Sequence, residues 1–363
     1  MTVFITGATG HLGANLVRAV LAQGREVRAL VEAGDPAPAL AGLNLEIVRG
    51  DLRDPLILRE ALKGVESVYH CAAFVSLRNR DRQEISSINI DATEQLMELC
   101  LEAGVSRVVH TSSFGAVGQE KGRPSTEKDL LSPFEPVMDY ERSKAAAEVP
   151  VFQAAARGLN VTIVNPSAMV GPLDYGPTNV GRTIVDYAHG RMRAYVPGAF
   201  DWVPIADVVA GHLLAHDKGK RGERYLLTGQ VHSIDEILGW LEELTGVRRP
   251  SLRLSPRWMR RIALIKDWIE ERFFPKKMPR FNQHSIRILN SGKSGDHSKA
   301  VLELGWQPSA VRPAFEQAVR WFAQEGLIPP LPLHIQAPQE PRALKVGVDV
   351  VNPITQNNRR DNL

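Results

Sequence analysis

The chain of 363 residues contains only two cysteines, Cys71 and Cys100, and neither stands in a CxxC or Cys/His metal spacing. That excludes a disulfide-stapled domain and a structural zinc site, and predicts buried free thiols in a reducing compartment. No apolar run approaches the roughly 20 residues of a spanning helix. Met1 leads straight into a strand-like run, without the charged and apolar regions or cleavage site of a secretory leader. A cytoplasmic location is the expectation. No pattern of interleaved exposed aromatics or recognised nucleic-acid module stands out, so nucleic acid is not an expected partner. What the chain does have is 44% hydrophobic residues, enough to bury a core as one or two domains. Its net charge of +3 conceals a basic block, because residues 250–300 hold 12 basic and 4 acidic side chains.

Up to about residue 165, short β-branched runs alternate with helical patterns. The runs are Val3 to Thr6, Val27 to Val31, Leu45 to Val48, Val68 to Cys71, Val108 to Thr111 and Val161 to Val164; the helices fall near 13–23, 54–62, 88–103 and 139–156. Such alternation predicts an α/β fold, a doubly wound parallel sheet covered on both faces, with a (β/α)₈ barrel as the competitor. Residues 1–165 are expected to form this dinucleotide-binding domain, with return segments near 201–229. A smaller, mostly helical cap is expected from 166–200 and 230–326, with helices near 180–190, 234–245, 257–273 and 312–325. Residues 327–363, with 6 of the 24 prolines, are expected to be a loosely held tail.

Thr6-Gly7-Ala8-Thr9-Gly10-His11-Leu12-Gly13 follows the first strand and opens the first helix. Gly7 suits a tight turn, Gly10 admits a pyrophosphate, and Gly13 allows close packing of helix on strand, so Gly7 to Gly13 are candidate dinucleotide contacts. That context favours an open sheet over the barrel. Some 20 residues on, Glu32 ends the second strand, where a carboxylate accepts hydrogen bonds from both ribose hydroxyls and repels a 2′-phosphate. The competing reading makes Glu32 a solvated charge and brings Arg28 to the phosphate. Asp51 and Leu52 are placed to meet the adenine.

Tyr140 and Lys144 lie four residues apart on one helical face, where an ammonium lowers the phenol's pKa and makes it a proton donor. Ser113 ends the fifth strand, at the carboxyl edge that opens onto the ligand crevice, and can polarise a substrate carbonyl.

Together the TGxxGxxG turn, Asp51-Leu52, Ser113 and the Tyr140/Lys144 pair resemble the extended short-chain dehydrogenase/reductase family, of the NAD-dependent epimerase/dehydratase type, over roughly residues 1–326. The resemblance implies Ser113, Tyr140 and Lys144 as the catalytic set, with Lys144 also on the nicotinamide ribose. Asn89 is the fourth member, either relaying protons or bonding backbone. Cys71, Ala72 and Ala73 resemble the strand-four motif beside the cofactor, and Asn89 with Thr93 an NxxxT helix start. Pro166 and Ser167 fall in a segment similar to RPxxVxGP, with Asn165 where Arg is frequent. Downstream stretches resemble the dihydroflavonol-reductase-like branch, which includes 3β-hydroxysteroid dehydrogenases and hopanoid-associated sugar epimerases, the last the nearest in pattern. Phe114-Gly115 after Ser113, in place of an acidic pair, argues against dehydration. The implied activity acts on CH–OH groups with NAD or NADP, and a homodimer through two helices is implied.

Phe74, Val75, Phe114, Met169, Val170 and Phe200 form a candidate substrate wall suited to a lipophilic alcohol or ketone; the plainer reading is that half of them are core. Arg182, Arg191 and Arg193 could clamp a diphosphate, or be a solvated loop. In 257–274 an apolar stripe runs from Trp258 to Phe273, edged by Arg257, Arg260, Arg261, Lys266 and Arg272, and Lys276, Lys277 and Arg280 follow. Residues 257–280 are therefore either a cap helix or a peripheral membrane contact. Two other functions share these motifs: a nucleotide-sugar epimerase using transient oxidation, and a dinucleotide sensor without catalysis. The Glu32 carboxylate predicts a lower Michaelis constant for NAD(H) than for NADP(H); steady-state kinetics with both cofactors checks this, and at least about tenfold better use of NADPH would overturn it.

Overall fold

The computed structural model describes residues 1–76, 78–120, 122–131, 137–255 and 292–336. The basic block at 257–280 and the tail from 337 onward lie outside the described residues. The first half runs β1 (Thr2–Thr6), α1 (His11–Ala22), β2 (Glu26–Val31), β3 (Glu46–Arg49), α2 (Pro55–Ala61), β4 (Val65–His70), α3 (Arg82–Ser86), α4 (Ala92–Glu102), β5 (Arg107–Thr111), α5 (Asp139–Ala156) and β6 (Val161–Pro166). Then come β7 (Ala168–Val170), α6 (Asn179–Ala188), β8 (Ala194–Tyr195), β9 (Ala199–Pro204), α7 (Ile205–Lys218), β10 (Arg224–Leu227), β11 (Gln230–Ser233), α8 (Ile234–Thr245), β12 (Leu252–Arg253), α9 (Val311–Gln324) and α10 (Leu333–Gln336).

Seven strands form one sheet in the order β3-β2-β1-β4-β5-β6-β10, every pair parallel. The sheet is open and doubly wound, so the barrel reading falls. Its central strands are buried on both faces, which is why they read as apolar runs rather than as alternating ones. On one face Leu12, Leu16, Val17 and Val20 of α1 pack with Val208, Val209 and Ala215 of α7. On the other, α2, α4 and α5 contribute Leu58, Leu96, Met97, Cys100, Val151 and Ala154.

Three local expectations change. The single helix expected at 88–103 is α3 and α4 joined by a π-helical turn, Ser87–Asp91, and such wide turns gather at functional positions. Within the return segment, α7 and β10 join the main sheet's layers, but β9 pairs antiparallel with β11 and parallel with β7 in a separate three-stranded sheet. The cap is built around α6, α8 and α9, whose core includes Trp202 and Trp321. Residues just past 326 are anchored, because Ile328 and Leu331 are buried in that same cap core.

The turn between β1 and α1 is the tightest joint in the sheet. Gly7 has φ +67°, and a Cβ there would lie 2.6 Å from the Ala72 nitrogen; one on Gly13 would lie 2.0 Å from the Gly7 oxygen. Gly13→Ala must therefore push α1 off β1, at a cost of about 1–3 kcal/mol. A thermal melt of Gly13→Ala should show Tm lower by several degrees, and an unchanged Tm would contradict this packing.

Candidate active site

Four strand ends, those of β1, β4, β5 and β6, open at the same edge of the sheet, and the candidate residues lie on the loops and helices that leave them. The glycine turn fits a dinucleotide. Gly10 is the exposed N-cap of α1, no acidic side chain stands in the helix's first turn, and the first amides of a helix have no internal acceptor. Thr9 is half-buried, while His11 and Leu12 are buried, with His11 Nε2 3.1 Å from the Pro172 oxygen.

At the other end of the groove Glu32 is exposed just past β2. Arg28 does not compete for a phosphate: it donates to Glu46 Oε2 at 2.7 Å and to the carbonyls of Ala61 at 2.6 Å and Lys63 at 2.9 Å. Asp51 is held by Arg53 Nε at 2.9 Å and Nη2 at 2.5 Å, a bond that keeps its carboxyl below the usual range. Leu52 is a core residue beneath it.

A buried chain of hydrogen bonds joins the glycine turn to α5. The Ala72 amide donates to Thr6 Oγ1 at 3.3 Å, and Thr6 Oγ1 lies 2.7 Å from His70 Nδ1. His70 Nε2 lies 2.9 Å from Thr93 Oγ1, which donates to the Asn89 carbonyl at 2.8 Å. Since Thr93 spends its proton on Asn89, His70 must donate from Nε2 and accept from Thr6 at Nδ1. Burial, helped by the Lys144 charge, holds this imidazole's pKa down at about 3, consistent with one neutral tautomer. Asn89 accepts from the Phe74 amide at 2.7 Å and donates to the Phe74 carbonyl at 3.1 Å and to Ser143 Oγ at 2.9 Å. Ser143 in turn donates to the Tyr140 carbonyl at 2.7 Å. Asn89 thus joins the Phe74 backbone to the Ser143 side chain.

Ser113 and Tyr140 meet, while Lys144, one helical turn further along α5, points to a neighbouring carbonyl. Tyr140 is the second residue of α5 and is hydrogen-bonded to the Ser113 side chain. Burial, reinforced by the Glu141 charge and opposed by Ser113, raises its pKa to about 12, contrary to the lowered value expected from the Tyr/Lys spacing. The Lys144 ammonium turns instead to the Thr111 carbonyl, 2.6 Å away. Burial lowers the pKa of Lys144 to about 8, with Glu148 and Cys71 opposing the shift. Cys71 is half-buried with Sγ 3.4 Å from Thr111 Oγ1, and burial pushes its thiol up to about 11.

Beneath the site lies a buried ion pair whose two partners stand 76 residues apart in sequence. Glu148, one helical turn beyond Lys144, accepts from Arg224 Nη1 at 2.8 Å, Ser112 Oγ at 2.5 Å and Asn165 Nδ2 at 2.7 Å. Asn165 also donates to the Ser113 carbonyl at 3.1 Å. The position where the resemblance leads one to expect Arg thus carries an amide, and the guanidinium comes from β10 instead. Only the i, i+4 spacing of Lys144 and Glu148 hinted at this network; Arg224 reaches it through the sheet order.

The proposed wall divides. Phe74 and Met169 are half-buried, Val75 is 45% exposed, and Phe114 packs with Val117 and Leu226. Val170, 1% exposed, is buried in the cap core. Phe200 stacks edge-on against Trp202, with centroids 5.7 Å apart. Ala73 follows Ala72 half-buried after β4, and Pro166 and Ser167 close β6, the Ser167 amide donating to the Leu227 carbonyl at 3.2 Å. Among the candidate diphosphate clamps, Arg182 donates to the Pro177 carbonyl at 2.7 Å and Arg191 pairs with Asp186. Among the described residues no cluster of metal-binding side chains occurs, and no helix is long and apolar enough to cross a membrane.

Comparison with known proteins accords with this geometry. Residues 3–227 match the NAD dependent epimerase/dehydratase family. Over 328 residues, 90% of this chain and 100% of the relative, the sequence is 59% identical to sterol demethylase protein B of Methylococcus capsulatus. It is 36% identical to a putative dihydroflavonol 4-reductase of Synechocystis, covering 90% and 95% of the two chains. Among solved structures, MoeE5 in complex with UDP-glucose and NAD superposes with a TM-score of 0.72 at 26% identity, covering 90% of this chain and 99% of that one. The chain is therefore an enzyme of the NAD-dependent epimerase/dehydratase family, with a Rossmann-type fold and NAD(P) as the family's cofactor.

Proposed function

We propose that the enzyme interconverts a secondary alcohol and a ketone on a moderately hydrophobic small molecule of sterol, terpenoid or polyketide type, with NAD(H) preferred. The observation that carries this reading is the hydrogen-bonded Ser113–Tyr140 pair at the carboxyl edge of the sheet, with Lys144 one helical turn beyond Tyr140 on α5. Bound there, a nicotinamide supplies or accepts hydride. The protein's part is proton and charge management. Ser113 donates a hydrogen bond to the substrate oxygen, and Tyr140 passes a proton to that oxygen in reduction or takes one in oxidation. Lys144 holds a positive charge on the same helical face, which favours the phenolate that forms. The names of the sterol and dihydroflavonol relatives support a lipophilic substrate.

A nucleotide-sugar epimerase would use the same three residues, and the UDP-glucose in the MoeE5 structure supports that second reading. Against it, Arg182 is committed to a backbone carbonyl and Arg191 to a carboxylate of the cap. A panel of sterols, aryl ketones and nucleotide sugars followed at the NADH absorbance separates the two, since an epimerase gives no steady-state NADH change.

On a substrate that this panel turns over, Tyr140→Phe should cut kcat by about 10²–10⁴-fold with NADH affinity unchanged; full activity would refute the mechanism. Reduction needs both a protonated Tyr140 and a charged Lys144. With Lys144 depressed to about 8 and Tyr140 raised to about 12, it is Lys144 that discharges first as pH rises. The profile of kcat/KM for ketone reduction should be level through neutrality and fall above about pH 8. A level profile up to pH 10 would show that the Lys144 charge is not needed.

A further inference from the structure

The segment 292–297 re-enters the described structure beside the reaction centre and is fixed there from three sides. Ser125 pairs with Gly295 in a parallel bridge, its amide donating to the Ser294 carbonyl and its carbonyl accepting from the Asp296 amide, both at 2.8 Å. The buried Asp201 carboxylate accepts from the Gly295 amide at 3.2 Å and from the Gly229 amide at 2.8 Å, tying the segment to β9 and to the turn after β10. Gly295 lies so close to Thr228 that a Cβ there would come within 2.5 Å of its methyl carbon.

This seating delivers one cation to one turn. Lys293 Nζ donates to the carbonyl of Phe114 at 3.0 Å and to that of Val117, and lies 4.6 Å from the Phe114 ring centroid. Those carbonyls belong to the 3₁₀ turn Phe114–Ala116 and its C-cap, whose N-cap is Ser113. Carbonyls at the end of a helical turn carry partial negative charge, so an ammonium there holds the turn closed. At its other end the turn is held by Asn165 on the Ser113 carbonyl and by the Gly115 amide on Ser113 Oγ, at 3.1 Å each. The hydroxyl next to Tyr140 is thus aimed by a turn whose far end is clamped from 179 residues along the chain.

We propose that Lys293 is a positioning residue: its ammonium fixes the turn that presents the Ser113 hydroxyl to the substrate, so turnover depends on the seating of segment 292–297. The proposal rests on the role given to Ser113 above, and the controls separate the two.

Lys293→Met, Lys293→Arg, Gly295→Ala and Ser113→Ala are compared by amide hydrogen exchange, NADH titration and kinetics on whichever panel substrate is turned over. Lys293→Met and Gly295→Ala should each speed exchange in a peptide spanning 113–118 by about tenfold, leaving β1 protected. They should lower kcat by about tenfold with the NADH dissociation constant unchanged, and Lys293→Arg should recover most of both. A 113–118 peptide that exchanges as in the parent chain overturns the proposal, whether or not any panel substrate reacts. So does a Lys293→Met enzyme of full kcat when Ser113→Ala is impaired. Full activity in Ser113→Ala instead overturns the catalytic role of Ser113, and with it this one.

Discussion

The site depends on a buried string of hydrogen bonds that leaves no choice of direction. Ala72, Thr6, His70, Thr93, Asn89, Ser143 and Tyr140 are linked in that order, from the glycine turn to the helix that carries the phenol. His70 is fully buried, and with a neutral ring it satisfies both neighbours by one donation and one acceptance. A buried group left unpaired costs about 1–3 kcal/mol, so each link stabilises the next. The cofactor turn and Tyr140, over 130 residues apart in sequence, are thereby held in one frame.

A second frame supports the first from below. Glu148 and Arg224 form an ion pair whose side chains are 4% and 6% exposed, with Ser112 and Asn165 completing the carboxylate's bonds. Removing one member of such a pair costs about 3–5 kcal/mol, because the other is left charged and buried. The pair binds β10 and α5 together under the carboxyl ends of β5 and β6, and it opposes the desolvation of Lys144. The stability of the sheet's last strand and the charge of the reaction centre are thus coupled through a single carboxylate.

Much of the site was legible because its signals are local. The glycine turn shows in the sequence because sterics allow little else at Gly7 and Gly13, and Tyr140 with Lys144 because four residues make one turn of helix. Glu32 and Arg28 were ambiguous in sequence, and the β2–β3 register settled the second by pairing Arg28 with Glu46. The Tyr/Lys spacing implies a lowered phenol pKa, but burial and the Glu141 charge raise it, while the Lys144 ammonium is turned to the Thr111 carbonyl. Val170 reads as a wall residue from its place after β6, but β7 turns it into the cap core.

The sequence by itself determined the parallel sheet, the glycine turn that opens α1 and the shared helical turn of Tyr140 and Lys144, since each rests on patterns local to a strand, a turn or a helix. Tertiary structure alone decided the partners that arrive from afar: His70 between β1 and α4, Arg224 under α5, Lys293 on the Ser113 turn. The reason is physical. Local spacing fixes which side chains share a helix face or a strand end, but a buried charge or imidazole is satisfied by whatever the sheet order brings beside it.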